Sequence, residues 1–302
     1  MRGQLLYNLS SQVTIIKKIY PKGEITVEVK RESTFVLAQM ASDGYPEHNL
    51  EEAKKAMEQA QMYNPDMVVF PELFMSEFPQ DTSIEVCCST AQTLDGPFVT
   101  EMCALAKQYG TWMVFGMNEV VDDPKDDRNY NTSVVVNSNG EVVSHYHKTH
   151  LYDAFGNRES DKIKPGDKFF DPIDTPFGRI GLFVCYEVRF PEVARDQRAK
   201  GADIIIMPTA WVAGRLKSLH FRTLITARAI ENTVYMLACD QANTQCIGES
   251  IVVDPMGVPV ASAGEEKQLI AAHISLDRVE AVRKKLPAYK DRRPELYVNY
   301  DK

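Results

Sequence analysis

Long apolar runs are missing from this chain: the longest are about a third of the ~20 residues that a membrane-spanning helix needs. The opening residues, MRGQLLYNLSSQVTIIKK, hold no apolar stretch of signal-peptide length. Cysteine is sparse and unpatterned. The six, at positions 87, 88, 103, 185, 239 and 246, show no CxxC spacing and no secreted-domain rhythm, so reduced thiols are expected. Positive charge is in deficit, with 34 Lys and Arg against 42 Asp and Glu, a formal net charge of −8. No basic block is long enough to track a phosphate backbone, which excludes nucleic acid and anionic membranes as expected partners. Low-complexity stretches and long linkers are absent too. A soluble, cytoplasmic protein is expected.

What is present is an ordinary globular composition, 44% hydrophobic and 25% charged. A chain of 302 residues buries a sizeable core without a disulfide or metal staple. Residues 1–33 read differently from the rest. VTIIKKIYPKGEITVEVK alternates apolar and polar residues on both sides of Pro21-Lys22-Gly23, which predicts an appended β-hairpin. Residues 34–302 read as one domain. Strand patterns (FVLAQM, DMVVF, TWMVFGM, NTSVVVN, EVVSHYHK, RIGLFVC, ADIIIMPTA, TVYMLACD, QLIAAHIS) alternate with amphipathic helices. Asn139-Gly140 marks a hairpin, as does Pro255-Met256-Gly257. Both βαβ units and hairpins predict mixed sheets in an α/β fold. With helices outside, two sheets could pack face to face in four layers.

Ligands of open α/β folds gather at the carboxyl ends of strands. Three such ends carry reactive side chains: DMVVFPELF with Glu72, EVVSHYHKTHL with Lys148, and RIGLFVCYE with Cys185. A cysteine at a strand-to-helix turn faces a cleft, where the helix N-terminus and a nearby ammonium favour thiolate. The six histidines include the run HYHKTH, but no Cys or acid cluster of metal-ligand spacing accompanies it, so no metal is expected. Glu72 is the better base, since a carboxylate in a desolvated cleft is poised to take and return a proton. Lys148 offers positive charge to the oxyanion of a tetrahedral intermediate, and the N–H of Tyr186 could complete that hole. Glu159, on a long polar loop, is placed to hold Lys148 by an ion pair. Arg189 could grip a substrate carboxylate, or pair with Glu192 or Glu231 as scaffold. Phe74, Tyr152, Phe155, Thr209 and Trp211 are candidate pocket walls.

These residues resemble the nitrilase, or carbon–nitrogen hydrolase, superfamily, which carries a Glu–Lys–Cys triad on three separate strands. FPELF holds Glu72, HKTHLYDAF holds Lys148 and CYEVRFPE holds Cys185; MPTAW, ARAIENTVY and SIVVDPMG match further family stretches. RESDKIKPGD resembles the segment with the family's second glutamate, which maps to Glu159. The resemblance implies an αββα sandwich, assembly as a homodimer or higher even-numbered oligomer, and hydrolysis of a small amide or nitrile without metal or cofactor. It also implies a thioester on Cys185. CYEVRFPE is most similar to the branch of ω-amidase and deaminated-glutathione amidase. The expected substrate is a small linear amide bearing a carboxylate. A nitrilase or an N-carbamoyl amino acid hydrolase would use the same triad, and a catalytically silent scaffold is the non-enzyme alternative. Two departures stand out: Glu249 occupies a position where the family often has histidine, and the 33-residue extension lies outside the common pattern.

Overall fold

The computed structural model describes residues 13–20 and 23–297, with side chains from 29 onward. Strands β1 (Val13–Tyr20) and β2 (Gly23–Lys30) pair antiparallel. Residues 1–12, the Pro21-Lys22 pair of the expected hairpin turn, and the end of the tail at 298–302 lie outside the described residues.

The chain then alternates strand and helix. β3 (Glu32–Gln39), α1 (Pro46–Ala60), β4 (Met67–Val69), the short α2 (Ile84–Ser89) and α3 (Pro97–Tyr109) come first. Proline opens α1 and α3, where a missing N–H costs nothing, and Gly110 closes α3 with φ +62°. β5 (Trp112–Val120), β6 (Asn129–Val136) and β7 (Val142–His147) form a meander. β8 (Ile173–Thr175), β9 (Gly178–Leu182), α4 (Pro191–Ala199), β10 (Ile204–Thr209), α5 (Lys217–Asn232) and β11 (Tyr235–Asp240) follow. β12 (Ile251–Val253), β13 (Pro259–Ser262), β14 (Gln268–Ser275) and α6 (Leu276–Lys285) complete the order.

These strands form two mixed six-stranded sheets, ordered β14-β3-β4-β5-β6-β7 and β13-β12-β11-β10-β9-β8. Side chains alternate across a strand. On β3, Val36 and Ala38 turn outward to meet Ala53 and Met57 of α1 and Met102 of α3. Phe35 and Leu37 turn inward to a second core shared with Leu182, Ile206 and Leu237 of the other sheet. Beyond that sheet, Ala194 of α4 and Phe221, Ile225 and Ala229 of α5 cover its outer face. The layers therefore run helix, sheet, sheet, helix, the αββα sandwich expected from the sequence. Cys239 ties the sheets together, its thiol donating to the carbonyls of Ala38 (3.4 Å) and Val69 (3.1 Å). No helix among the described residues is long and apolar enough to cross a membrane.

Candidate active site

Glu72 follows β4 in a tight turn, with Leu73 at φ +52°. That turn lies directly on Gly116 of β5. A Cβ at Gly116 would sit 2.3 Å from the Leu73 nitrogen and 2.9 Å from the Glu72 Cα, so only glycine permits the approach. Glu72 is 3% exposed. Its Oε1 accepts from Lys148 Nζ (2.9 Å) and Asn131 Nδ2 (2.8 Å), and its Oε2 accepts from the Ala210 N–H (2.7 Å).

Lys148 comes one residue after β7 and is 2% exposed. It donates to both oxygens of Glu159, at 3.0 and 2.8 Å. Burial alone would lower this amine's pKa; the Glu159 and Glu72 carboxylates outweigh it and hold the ammonium well above its ordinary value. Glu159 is itself fixed by the Tyr152 N–H (2.6 Å) and by Asn131 Nδ2 (3.2 Å).

Cys185 departs from expectation in two ways. It is not the last residue of a strand: β9 ends at Leu182, and Cys185 opens a short 3-10 helix, Cys185–Arg189. Its φ of +47° is left-handed, a strained conformation for a residue with a Cβ. Nor do its surroundings favour thiolate. Burial and the Glu72 carboxylate push the thiol well above its ordinary range, against the Lys148 ammonium and the Thr209 hydroxyl and Ala210 N–H beside the sulfur. A short 3-10 turn at the edge of a closed cleft supplies too little positive potential to offset desolvation.

The turn is held by Glu187, which is fully buried. Its Oε2 accepts from the Val184 N–H (2.7 Å). Its Oε1 accepts from the Tyr146 hydroxyl (2.7 Å), the Thr149 hydroxyl (2.6 Å) and the Thr149 N–H (3.1 Å). Burial would raise this carboxyl, yet bonds from His150, Thr149, Val184 and Tyr146 hold it below its usual value. One carboxylate thus fastens the Cys185 turn to the segment that carries Lys148.

A narrow pocket opens on the thiol, lined by Tyr152, Tyr186, Arg189, Ala210, Trp211 and Lys217. Arg189 pairs with neither Glu192 nor Glu231; Glu231 is taken by Arg228 at 3.0 Å. Its Nε and Nη2 are buried without a hydrogen-bond partner, and its guanidinium stands 4.9 Å from the Trp211 ring centre. Tyr152, Trp211 and Thr209 all reach the site; the Trp211 backbone N–H donates to Asp240 Oδ1 (2.7 Å) and its indole N–H to the Lys217 carbonyl (3.1 Å). Phe155 is 70% exposed and stands over the mouth, its ring 4.4 Å from Lys217 Nζ. Phe74 is elsewhere, packed on Phe70 and Phe98 beneath the helices of the first sheet's outer face. Glu249 lies outside the pocket lining and pairs with Arg222 at 2.9 Å. Among the described residues no cluster of His, Cys, Asp and Glu is arranged to hold a metal ion. His147 instead bonds Glu119 at 2.9 Å.

Three contributors escape a reading of the sequence: Asn131, Glu187 and Lys217. Asn131 and Lys217 sit inside ordinary strand and helix patterns, and nothing local marks them. Glu187 stands in the quoted CYE stretch, where its spacing gave no hint of direction.

Residues 36–284 match the carbon–nitrogen hydrolase family. The chain is 35% identical over 247 residues to the deaminated glutathione amidase of Escherichia coli O157:H7, an alignment covering 82% of this chain and 92% of that one. It is 34% identical over 263 residues to omega-amidase NIT3 of Saccharomyces cerevisiae, covering 82% and 89% respectively. The crystal structure of Saccharomyces cerevisiae Nit3, described as a member of branch 10 of the nitrilase superfamily, superposes with a TM-score of 0.78 at 32% identity, covering 88% of this chain and 98% of that one.

Proposed function

The chain belongs to the carbon–nitrogen hydrolase family, and from that premise we propose that it is a cysteine-dependent amidase that releases ammonia from a small linear amide bearing a carboxylate. The observation that carries this reading is the buried cluster of Glu72, Lys148 and Glu159 against the Cys185 thiol.

In the resting site the thiol is neutral and Lys148 is charged. Glu72 takes the thiol proton as sulfur attacks the amide carbon, so no free thiolate has to be held beside a carboxylate. Charge then builds on the carbonyl oxygen, which the Lys148 ammonium and the Tyr186 N–H stabilise. Glu72 returns the proton to the leaving nitrogen, the C–N bond breaks, and ammonia departs with the thioester left on Cys185. Water, deprotonated by Glu72, attacks the thioester; the acid leaves and the thiol is restored. Glu159 and Asn131 position the lysine and the base throughout. Arg189, half-buried beside the nucleophile with its Nε and Nη2 unpartnered, receives the carboxylate of the substrate.

Ammonia release from a panel of monoamides, with and without a distal carboxylate, tests the reading. Cys185→Ala abolishes turnover and leaves the fold intact. Normal activity in that variant would refute the scheme, equal rates on both kinds of amide would remove the carboxylate, and release from nitriles but not amides would mark a nitrilase. The same reading takes residues 1–33 as an extension of a single hydrolase domain, and expects a cytoplasmic homodimer whose mass sedimentation would give as twice that of the chain.

A further inference from the structure

Lys217 opens α5 and is 7% exposed, yet among the described residues no carboxylate pairs with it. Its ammonium donates to the Tyr152 hydroxyl (2.5 Å) and faces the rings of Phe155 (4.4 Å) and Tyr152 (4.8 Å). Arg189 lines the same pocket and shares the Phe155 and Trp211 rings with it. A buried ammonium beside a half-buried guanidinium, neither with an acid partner among the described residues, is costly to keep in a protein unless an anion arrives.

The acids of the site are already engaged: Glu72 and Glu159 hold Lys148, and Glu187 holds the Cys185 turn through Val184 and Tyr146. Arg189 and Lys217 line one pocket with no carboxylate of their own among the described residues, and the two oxygens of a single carboxylate can accept from both.

Tyr152 adds a connection. Its hydroxyl meets Lys217, and its backbone N–H donates to Glu159 Oε2 (2.6 Å), the same oxygen that takes Lys148 Nζ at 2.8 Å. We propose that Lys217 is a second specificity-determining cation of this site, closing with Arg189 on the two oxygens of one carboxylate at the far end of the acyl chain. Through Tyr152 that contact sets the position of Glu159 and hence of Lys148. The carboxylate is then read in the rate of the chemical step as well as in binding, as expected when remote binding energy aligns reacting groups. This inference rests on the amidase reading and names the recognition device of that site.

The test uses a matched pair of amides, succinamate and butyramide, which differ in a terminal carboxylate against a methyl. The ratio of their kcat/KM values is measured in the wild type, Lys217→Met, Lys217→Gln and Lys217→Arg. Met removes charge and donor; Gln removes the charge but keeps a donor for Tyr152, and carries the test if Met does not fold. Loss of one charge-assisted contact predicts that the succinamate preference falls about 10- to 100-fold in both, with part of the fall in kcat, and that Arg restores most of it. An unchanged ratio, including equal losses on both amides, overturns the proposal. A loss confined to KM overturns the connection through Tyr152. Wild-type failure on both amides refutes the amidase reading, and this inference with it; wild-type turnover with an unchanged ratio in the variants refutes this inference alone.

Discussion

Replacing Glu72 by glutamine changes one oxygen to an amide nitrogen, and the structure assigns that change two opposite effects. The carbonyl of the new amide can keep the place of Oε1, accepting from Lys148 and Asn131 as the carboxylate does at 2.9 and 2.8 Å. The amide nitrogen then faces the Ala210 N–H, donor against donor, where Oε2 had accepted at 2.7 Å. Losing one charge-assisted hydrogen bond costs about 1.5–3 kcal/mol, which a domain stable by roughly 5–15 kcal/mol survives. Amide turnover loses its general base and should fall ~10²- to 10⁴-fold, or about 3–5 kcal/mol of barrier. The thiol responds the other way. Glu72 is one of the groups that keeps the Cys185 proton on, and its removal leaves the Lys148 ammonium less opposed. Alkylation of Cys185 by iodoacetamide at neutral pH should therefore be faster in Glu72→Gln than in the wild type. The assay is ammonia release alongside mass-spectrometric labelling rates on the same folded samples. Turnover within tenfold of the wild type, or slower labelling in the variant, would refute the assignment of Glu72 as base and as the group that suppresses the thiolate.

Two further outcomes follow from the scaffold. Gly116→Ala drives a methyl into the Glu72 backbone, which should cost about 1–3 kcal/mol in thermal or chemical denaturation and at least tenfold in kcat; wild-type kinetics would show that the close approach does not position the base. Glu187 has its carboxyl depressed in the fold, so its contribution is present above the unfolded carboxylate pKa of about 4.3 and is lost as pH falls through the lower folded value. Denaturation midpoints followed from pH 6 to pH 3 should fall less steeply in Glu187→Gln than in the wild type, from a lower starting stability, and parallel curves would contradict this.

Much of the architecture was legible in the residues because its signals are local. Periods of 2 and 3.6, the prolines that open α1 and α3, and Gly110 mark elements wherever they end up in space. Glu72 and Cys185 are candidates for the same reason, each following a buried apolar run, whereas Lys148 follows β7, whose side chains are largely exposed, and only its place after a strand marks it. Phe74 was misjudged because the PELF turn puts Glu72 and Phe74 on different sides of the first sheet, which the sequence order does not reveal. Asn131 reaches Glu72 across 59 residues, Glu187 reaches Tyr146 across 41, and Lys217 reaches Tyr152 across 65. Such contacts depend on sheet order and on how two layers face each other. The state of the Cys185 proton belongs to the same class, since it is set by how completely the fold removes water and by which charge it brings nearest. The residue types and the chain order therefore determined which chemistry was available; the packing of the two sheets decided how completely the Cys185 thiol is buried, that Glu187 ties its turn to the segment carrying Lys148, and that Arg189 and Lys217 share a pocket with no carboxylate paired to either among the described residues.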